Sequence, residues 1–134
     1  MPTRSLMAAL CLVSAVSSDG CMRVDQRILH HQQSLQSLGS SAHAIGAAWL
    51  AGHVSATYTT TALQQIFLLI EQERASLAKG PETLIDPRGA QVADSADELA
   101  RVVAQVIADV RATDAPGARR HLGLLSVYRK RESP

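Results

Sequence analysis

Apolar residues recur at every seventh position in the first half of the chain, and this spacing restricts the segment to one kind of structure. A repeat of seven places two apolar rows on one side of an α-helix. The rows are Ile28, Leu35, Ala42 and Trp49, and Val24, His31, Leu38 and Ile45. They predict one long helix over roughly residues 22–52. Because Gly39 and Gly46 share one face of it, we expect a neighbouring helix to approach closely there.

A second helix is predicted to follow and to end near Ala78. Ser55 or Thr57 can cap its start by accepting a hydrogen bond from a free backbone N–H. Gly80, with a proline behind it, signals its end. Three consecutive threonines favour a strand locally, so the conformation of residues 54–61 stays open at this point.

Residues 80–94 predict a loop with a turn at residues 86–89, because two prolines and two glycines occur in them. Leu84, Ile85 and Val92 are expected to hold this loop against the helices. A third helix is predicted to open at Ser95, which forms a capping box with Glu98.

The third helix carries a wide apolar stripe and is expected to run to about Ala112. Asp114 is then a candidate N-cap for a short fourth helix, whose apolar stripe consists of Leu122, Leu125 and Tyr128.

The fold class predicted from these elements is all-α, a small antiparallel helical bundle of two long helices, one medium and one short. One Trp, two Tyr and one Phe leave an aliphatic core, and a chain of 134 residues has the size of one domain. We expect that domain to cover residues 21–134, including a short basic C-terminal tail, after a signal segment at residues 1–20.

The N-terminus has the features of a targeting segment. Arg4 precedes an uncharged apolar run from Leu6 to Val16. Such a run is too short to cross a bilayer core of roughly 30 Å, but it has the length of a signal-peptide core. The prediction is therefore export, to the periplasm or outer membrane of a bacterial envelope.

Gly20 and Cys21 follow this run closely. The pair resembles the end of bacterial lipoprotein signals, whose cysteine is diacylated through its thiol and becomes the new N-terminus. Ser18 and Asp19 depart from that pattern, since a leucine and a small uncharged residue are usual there. The resemblance implies lipidation of Cys21 and a membrane anchor. Ordinary cleavage after Ala15 or Ser18 is the alternative, and it leaves a soluble exported protein.

No Asp, Glu, Lys or Arg occurs from Ile28 to Ile70. Three interpretations are open: a small integral-membrane helical hairpin, an exposed face that is polar but uncharged, or a surface covered by a protein partner or a second copy. The third interpretation has candidate interface residues on the first helix, which are Leu35, Leu38, Ala42, Ile45 and Trp49.

The sequence contains no motif typical of catalysis or metal binding. None of the five histidines has an H-x-x-x-H partner, and no serine or cysteine lies in a nucleophile motif. We therefore expect a binding or scaffolding module, with no catalytic residues, metal or cofactor. The alternative is a soluble periplasmic carrier of a small ligand or metal, with a pocket between helices lined by histidines and Trp49.

Charge gives one further candidate contact. Thirteen basic against twelve acidic residues produce no overall field that would recruit nucleic acid. Arg129, Lys130 and Arg131 near the C-terminus form a local basic group that is a candidate contact for polyanions or anionic head groups.

Overall fold

The computed structural model describes residues 19–130, and the side chains of residues 23–129. The described residues form five helices and no strand. The helices are α1 (Asp19–Leu50), α2 (Ala56–Lys79), α3 (Glu82–Ile85), α4 (Pro87–Arg111) and α5 (Ala115–Lys130). The prediction of an all-α fold is confirmed. Residues 1–18, which hold most of the predicted signal segment, lie outside the described residues.

The connection between α1 and α2 follows the sequence signals. Gly52 has a left-handed φ of 76° and ends α1, a conformation that glycine adopts without steric cost. Ser55 caps α2 by accepting a hydrogen bond on Oγ from the Tyr58 N–H at 3.1 Å. The three threonines are helical, and buried Thr59 donates its hydroxyl to the Ser55 carbonyl at 2.8 Å.

The predicted start of the third helix is wrong. Helix α4 begins at Pro87, whose missing N–H is not needed in a first turn. Asp86 is the N-cap, since its Oδ1 accepts from the Arg88 N–H at 2.9 Å. No capping box forms at Ser95, which lies inside the helix and donates its hydroxyl to the Gln91 carbonyl at 2.9 Å.

The loop expected before that helix also differs from the prediction. Val92 is buried as expected, but Leu84 is 91% exposed and Ile85 is 68% exposed. The short helix α3 turns Glu82 inward instead, and that side chain is only 2% exposed. For Leu84 the reason is geometric, because it lies two positions from Glu82 and therefore on the opposite side of the helical turn.

Four helices enclose the core. Contacts join α1 with α2, α2 with α4, α4 with α5 and α5 with α1, and α1 also touches α4 across the centre. Helix α3 contacts α1, α2 and α4 at one end of the bundle. The core is aliphatic, as predicted, and its largest members include Ile28, Leu35, Leu63, Ile70, Leu77, Leu99, Val103, Val106, Leu122 and Leu125.

Helix α5 approaches α1 closely at the two glycines, as expected. A Cβ added at Gly39 would lie 2.5 Å from Cγ of Tyr128, and one added at Gly46 would lie 2.5 Å from Cδ2 of Leu122. The side chains of α5 therefore occupy the space that larger residues on α1 would need. The order of these two contacts shows that α5 runs opposite to α1.

The start of α5 is also as predicted. Asp114 accepts a hydrogen bond on Oδ1 from the Gly117 N–H at 3.0 Å. Thr113, at a left-handed φ of 53°, separates α5 from α4. Leu122 and Leu125 are buried and Tyr128 packs against the core, so the apolar stripe of this helix is confirmed.

Candidate binding surface

An uncharged surface lies along α1 and α2, where two rows of side chains run side by side. Residues four, seven or eleven positions apart lie on the same side of a helix. We call this surface the hairpin face and define it as Ser34, Leu38, Ser41, Ile45 and Trp49 of α1 with Tyr58, Ala62, Gln65, Leu69 and Gln72 of α2. All ten side chains are exposed or partly exposed. Each row is about 22 Å long, at 1.5 Å per residue.

The two rows border a shallow groove. Leu38 and Leu69 line it from opposite helices, and its volume is about 250 Å³. The rest of its lining consists of Ser34, Ser37, Gln72 and the acidic Glu73. Leu69 is 47% exposed, and Tyr58, nearer the tip of the hairpin, is 58% exposed. Exposed apolar side chains grouped beside a groove are typical of a binding surface, whereas isolated ones are not.

The candidate interface predicted on α1 divides into two groups. Leu35 and Ala42 are 2% and 0% exposed in the core of the chain itself, so a partner cannot reach them. Leu38, Ile45 and Trp49 pack against the core but remain partly exposed on the hairpin face. The two groups differ because the other helices of the bundle cover one side of α1 and leave the adjacent side partly accessible.

Exposed ion pairs lie on other surfaces of the bundle. On α4, Arg101 Nε donates to Glu98 Oε2 at 3.0 Å, and this hydrogen bond holds the pKa of Glu98 below its usual range. Between α2 and α4, Arg74 Nε donates to Asp97 Oδ1 at 2.6 Å. The hairpin face and the α4 side of the molecule are both exposed, but only the α4 side carries exposed ion pairs.

A partly buried pair of hydrogen-bonding side chains borders the hairpin face. Nδ1 of His31 on α1 lies 2.6 Å from Oε2 of Glu73 on α2, and His31 is only 6% exposed. Glu73 is only partly buried and lines the groove, so this pair places a hydrogen-bonded carboxylate at the edge of the surface. The two residues are 42 positions apart, and no sequence signal connects them.

The histidines do not come together. His30 and His53 are exposed, whereas His121 is paired through Nδ1 with Asp109 Oδ2 at 2.5 Å. Among the described side chains, no three His, Cys, Asp or Glu residues are grouped closely enough to hold a metal ion.

A cavity of about 350 Å³ lies between α1, α4 and α5. Its lining consists of Gln32, Leu35, Gln36, Gln91, Val92, Ser95, Val127 and Tyr128. It therefore contains neither the histidines nor Trp49 that the carrier hypothesis requires.

The basic residues near the C-terminus are described only in part. Arg129 is exposed on the last turn of α5. Partial burial lowers the pKa of His43, and the charge of Arg129 lowers it further, so His43 stays neutral to a lower pH than an exposed histidine. Lys130 is the last residue of α5, and Arg131 lies outside the described residues.

Cys21, the predicted lipidation site, lies in the first turn of α1, and its side chain is outside those described. Among the described helices, none combines the length and the hydropathy required to cross a membrane.

No protein-family model, curated protein or solved structure matches the chain. The proposed function therefore rests on the surfaces described above and on the N-terminal sequence.

Proposed function

We propose that the protein is a lipid-anchored protein of the bacterial cell envelope that binds another polypeptide through its hairpin face, acting as a binding or scaffolding module instead of a catalyst. Residues 1–20 are its signal peptide and Cys21 its anchor. Residues 21–134 are its single domain, a small antiparallel helical bundle. The Gly20-Cys21 pair after an apolar run supports the anchor. The observation that carries the binding role is an exposed hairpin face without charge.

The composition of the hairpin face is what a protein interface requires. Charged residues are depleted at the centre of interfaces, because burying an unpaired charge costs free energy. Helix α4 shows that this chain places ion pairs on surfaces in contact with water. The absence of Asp, Glu, Lys and Arg from residues 28–70 is therefore specific to one part of the molecule.

The shape of the hairpin face favours a helix as the bound element. Two parallel rows with a groove between them accept the apolar ridge of a third helix. Leu38 and Leu69 meet at this groove, and Ile45 continues the row on α1. The helix belongs to a partner protein or to a second copy of the chain. An uncharged face that only contacts water is the competing interpretation.

The mass of the mature protein, purified from bacterial membranes, tests the anchor. We expect an N-terminus at Cys21 and a mass larger than that of residues 21–134 by one diacylglyceryl group. The variant Cys21→Ser, which has no thiol to modify, should lack this added mass. A mass that corresponds to cleavage after Ala15 or Ser18 would contradict the anchor and leave a soluble exported protein.

Photo-crosslinking tests the binding role. Benzoylphenylalanine in place of Leu69 should give one discrete adduct in cells, because this exposed side chain lines the groove of the hairpin face. The same amino acid in place of Ala104, which is exposed on α4, is the matched control and should give none. An adduct of twice the chain mass identifies a second copy, and any other mass identifies a partner. No adduct at position 69, or equal adducts at both positions, would favour the solvent-exposed interpretation.

A further inference from the structure

The end of the bundle that contains α3 exposes two adjacent large apolar side chains. Leu84 is 91% exposed and Ile85 is 68% exposed. Leu84 lies about 200° round the helical turn from the buried Glu82, and it therefore points to solvent. The hydroxyl of Thr83 is also held inward, 3.4 Å from the Gly80 carbonyl. We call this region, Glu82–Ile85 with the neighbouring ends of α1, α2 and α4, the α3 end.

The α3 end includes the start of α1. Arg27 Nη1 of α1 lies 3.5 Å from Oε1 of Glu82. In the first turn of α4, Arg88 contacts Asp25 of α1. Cys21 precedes Arg27 in the same helix by about 9 Å, at 1.5 Å per residue. The exposed apolar pair and the proposed anchor therefore lie at the same end of the molecule.

The charge that the α3 end presents to its surroundings is positive. Its four basic residues are all exposed, and they are Arg23, Arg27, Lys79 and Arg88. Of its three acidic residues, Glu82 is buried and Asp86 is partly buried, so only Asp25 is fully exposed. Asp86 also accepts hydrogen bonds from Arg88, the shorter at 2.6 Å. Apolar side chains surrounded by exposed basic ones are typical of surfaces that contact anionic lipid.

We propose that the α3 end is a membrane-contacting surface, in which Leu84 and Ile85 enter the headgroup region of an anionic bilayer and the surrounding basic side chains contact lipid phosphates. This inference rests on the proposed anchor, since an acylated Cys21 holds this end at the bilayer. It also fixes an orientation. Helix α1 leads away from the membrane, and the hairpin tip lies furthest from it.

Tryptophan quenching in vesicles tests this surface. The mature protein is reconstituted into phosphatidylglycerol-containing vesicles whose acyl chains are brominated near the headgroup. In the double variant Leu84→Trp, Trp49→Phe, we expect bromination to reduce the emission of the introduced tryptophan about twofold, because its ring lies among the lipids. The wild-type protein is the internal control, since Trp49 lies about 40 Å along α1 from Cys21 and should not be quenched.

The outcomes separate this inference from the anchor. If mass spectrometry finds the lipid on Cys21 but the introduced tryptophan is not quenched, the inference is overturned and the anchor stands. If no lipid is found, the anchor fails, and the same vesicles added to the unacylated mature protein decide the inference alone: quenching supports it and its absence overturns it. Equal quenching in zwitterionic vesicles would overturn the role of the basic side chains.

Discussion

The variant Gly39→Leu is expected to lower the free energy of unfolding by about 2 kcal/mol, because overpacking a filled interface costs up to about 3 kcal/mol and about 1 kcal/mol returns as helix propensity. A Cβ at this position already lies 2.5 Å from the base of the Tyr128 ring, which cannot move without shifting α5. Displacing α5 exposes Leu122 and Leu125, which are 4% and 1% exposed in the native bundle. Urea denaturation followed by circular dichroism measures the change.

A graded series makes this result specific to the close contact between α1 and α5. Gly46→Ala should cost less than Gly39→Ala, since the atoms it meets are the mobile methyl groups of Leu122. Gly123→Ala, on α5 with open space around it, should instead stabilise the protein by about 1 kcal/mol through helix propensity. Equal effects at positions 39 and 123 would show that α5 does not pack against α1 as described.

The variant Glu73→Ala is expected to lower the free energy of unfolding by about 2–3 kcal/mol, because it leaves the Nδ1 group of His31 buried without a partner. His31 is only 6% exposed, so water replaces the lost carboxylate incompletely. Replacing both residues with leucine should restore most of the loss, since two apolar side chains can pack where the hydrogen-bonded pair lies. Thermal and urea denaturation of the single and double variants measure both effects.

A double-mutant cycle at His31 and Glu73 isolates their coupling from general packing losses. We expect a coupling energy of about 2 kcal/mol, since the pair is largely shielded from solvent. The exposed pair of Glu98 and Arg101 on α4 is the matched control, and its removal should change stability little because water screens it. Additive losses at positions 31 and 73 would mean that the two side chains do not stabilise each other.

The parts of the fold that the sequence predicts correctly are those determined by neighbouring residues. The spacing of Ile28, Leu35 and Ala42 predicts that these residues lie on one side of α1, because helical periodicity acts within one element. Ser55 and Asp114 predict two N-caps for the same reason. Gly39 and Gly46 also predict a tertiary contact. Two positions without side chains, seven residues apart, indicate that another helix packs there, although the sequence does not identify that helix.

The start of α4 was not predicted because the same residues are typical of two structures. Asp86, Pro87 and Gly89 suit a turn, and they equally suit an N-cap followed by proline in a first helical turn. Tertiary packing decides between these structures. Gly89 lies against the backbone of Glu82, so the first turn of α4 packs directly on α3. This contact depends on a buried glutamate, which composition alone places at the surface.

The sequence predicts only the α1 half of the candidate binding surface. The α1 side chains Leu38, Ile45 and Trp49 follow from periodicity, but their neighbours Tyr58 and Leu69 become part of the surface only when α2 lies beside α1. The buried side of that surface also depends on tertiary structure, since Leu35 and Ala42 share the α1 repeat and are covered by the rest of the bundle. Which apolar rows face inward is decided by the packing of all four long helices.

The contact between α1 and α5 joins the first and last helices of the described chain, and this has a consequence for when the domain can fold. A contact between residues so far apart in sequence forms late, because it closes a long loop. The ring of helices also stays open until the last residues of α5 have left the ribosome. For an exported protein, we expect this order to keep the nascent chain loosely structured and competent for translocation. On the export that we propose, we expect the bundle to close only after the whole domain has crossed the inner membrane.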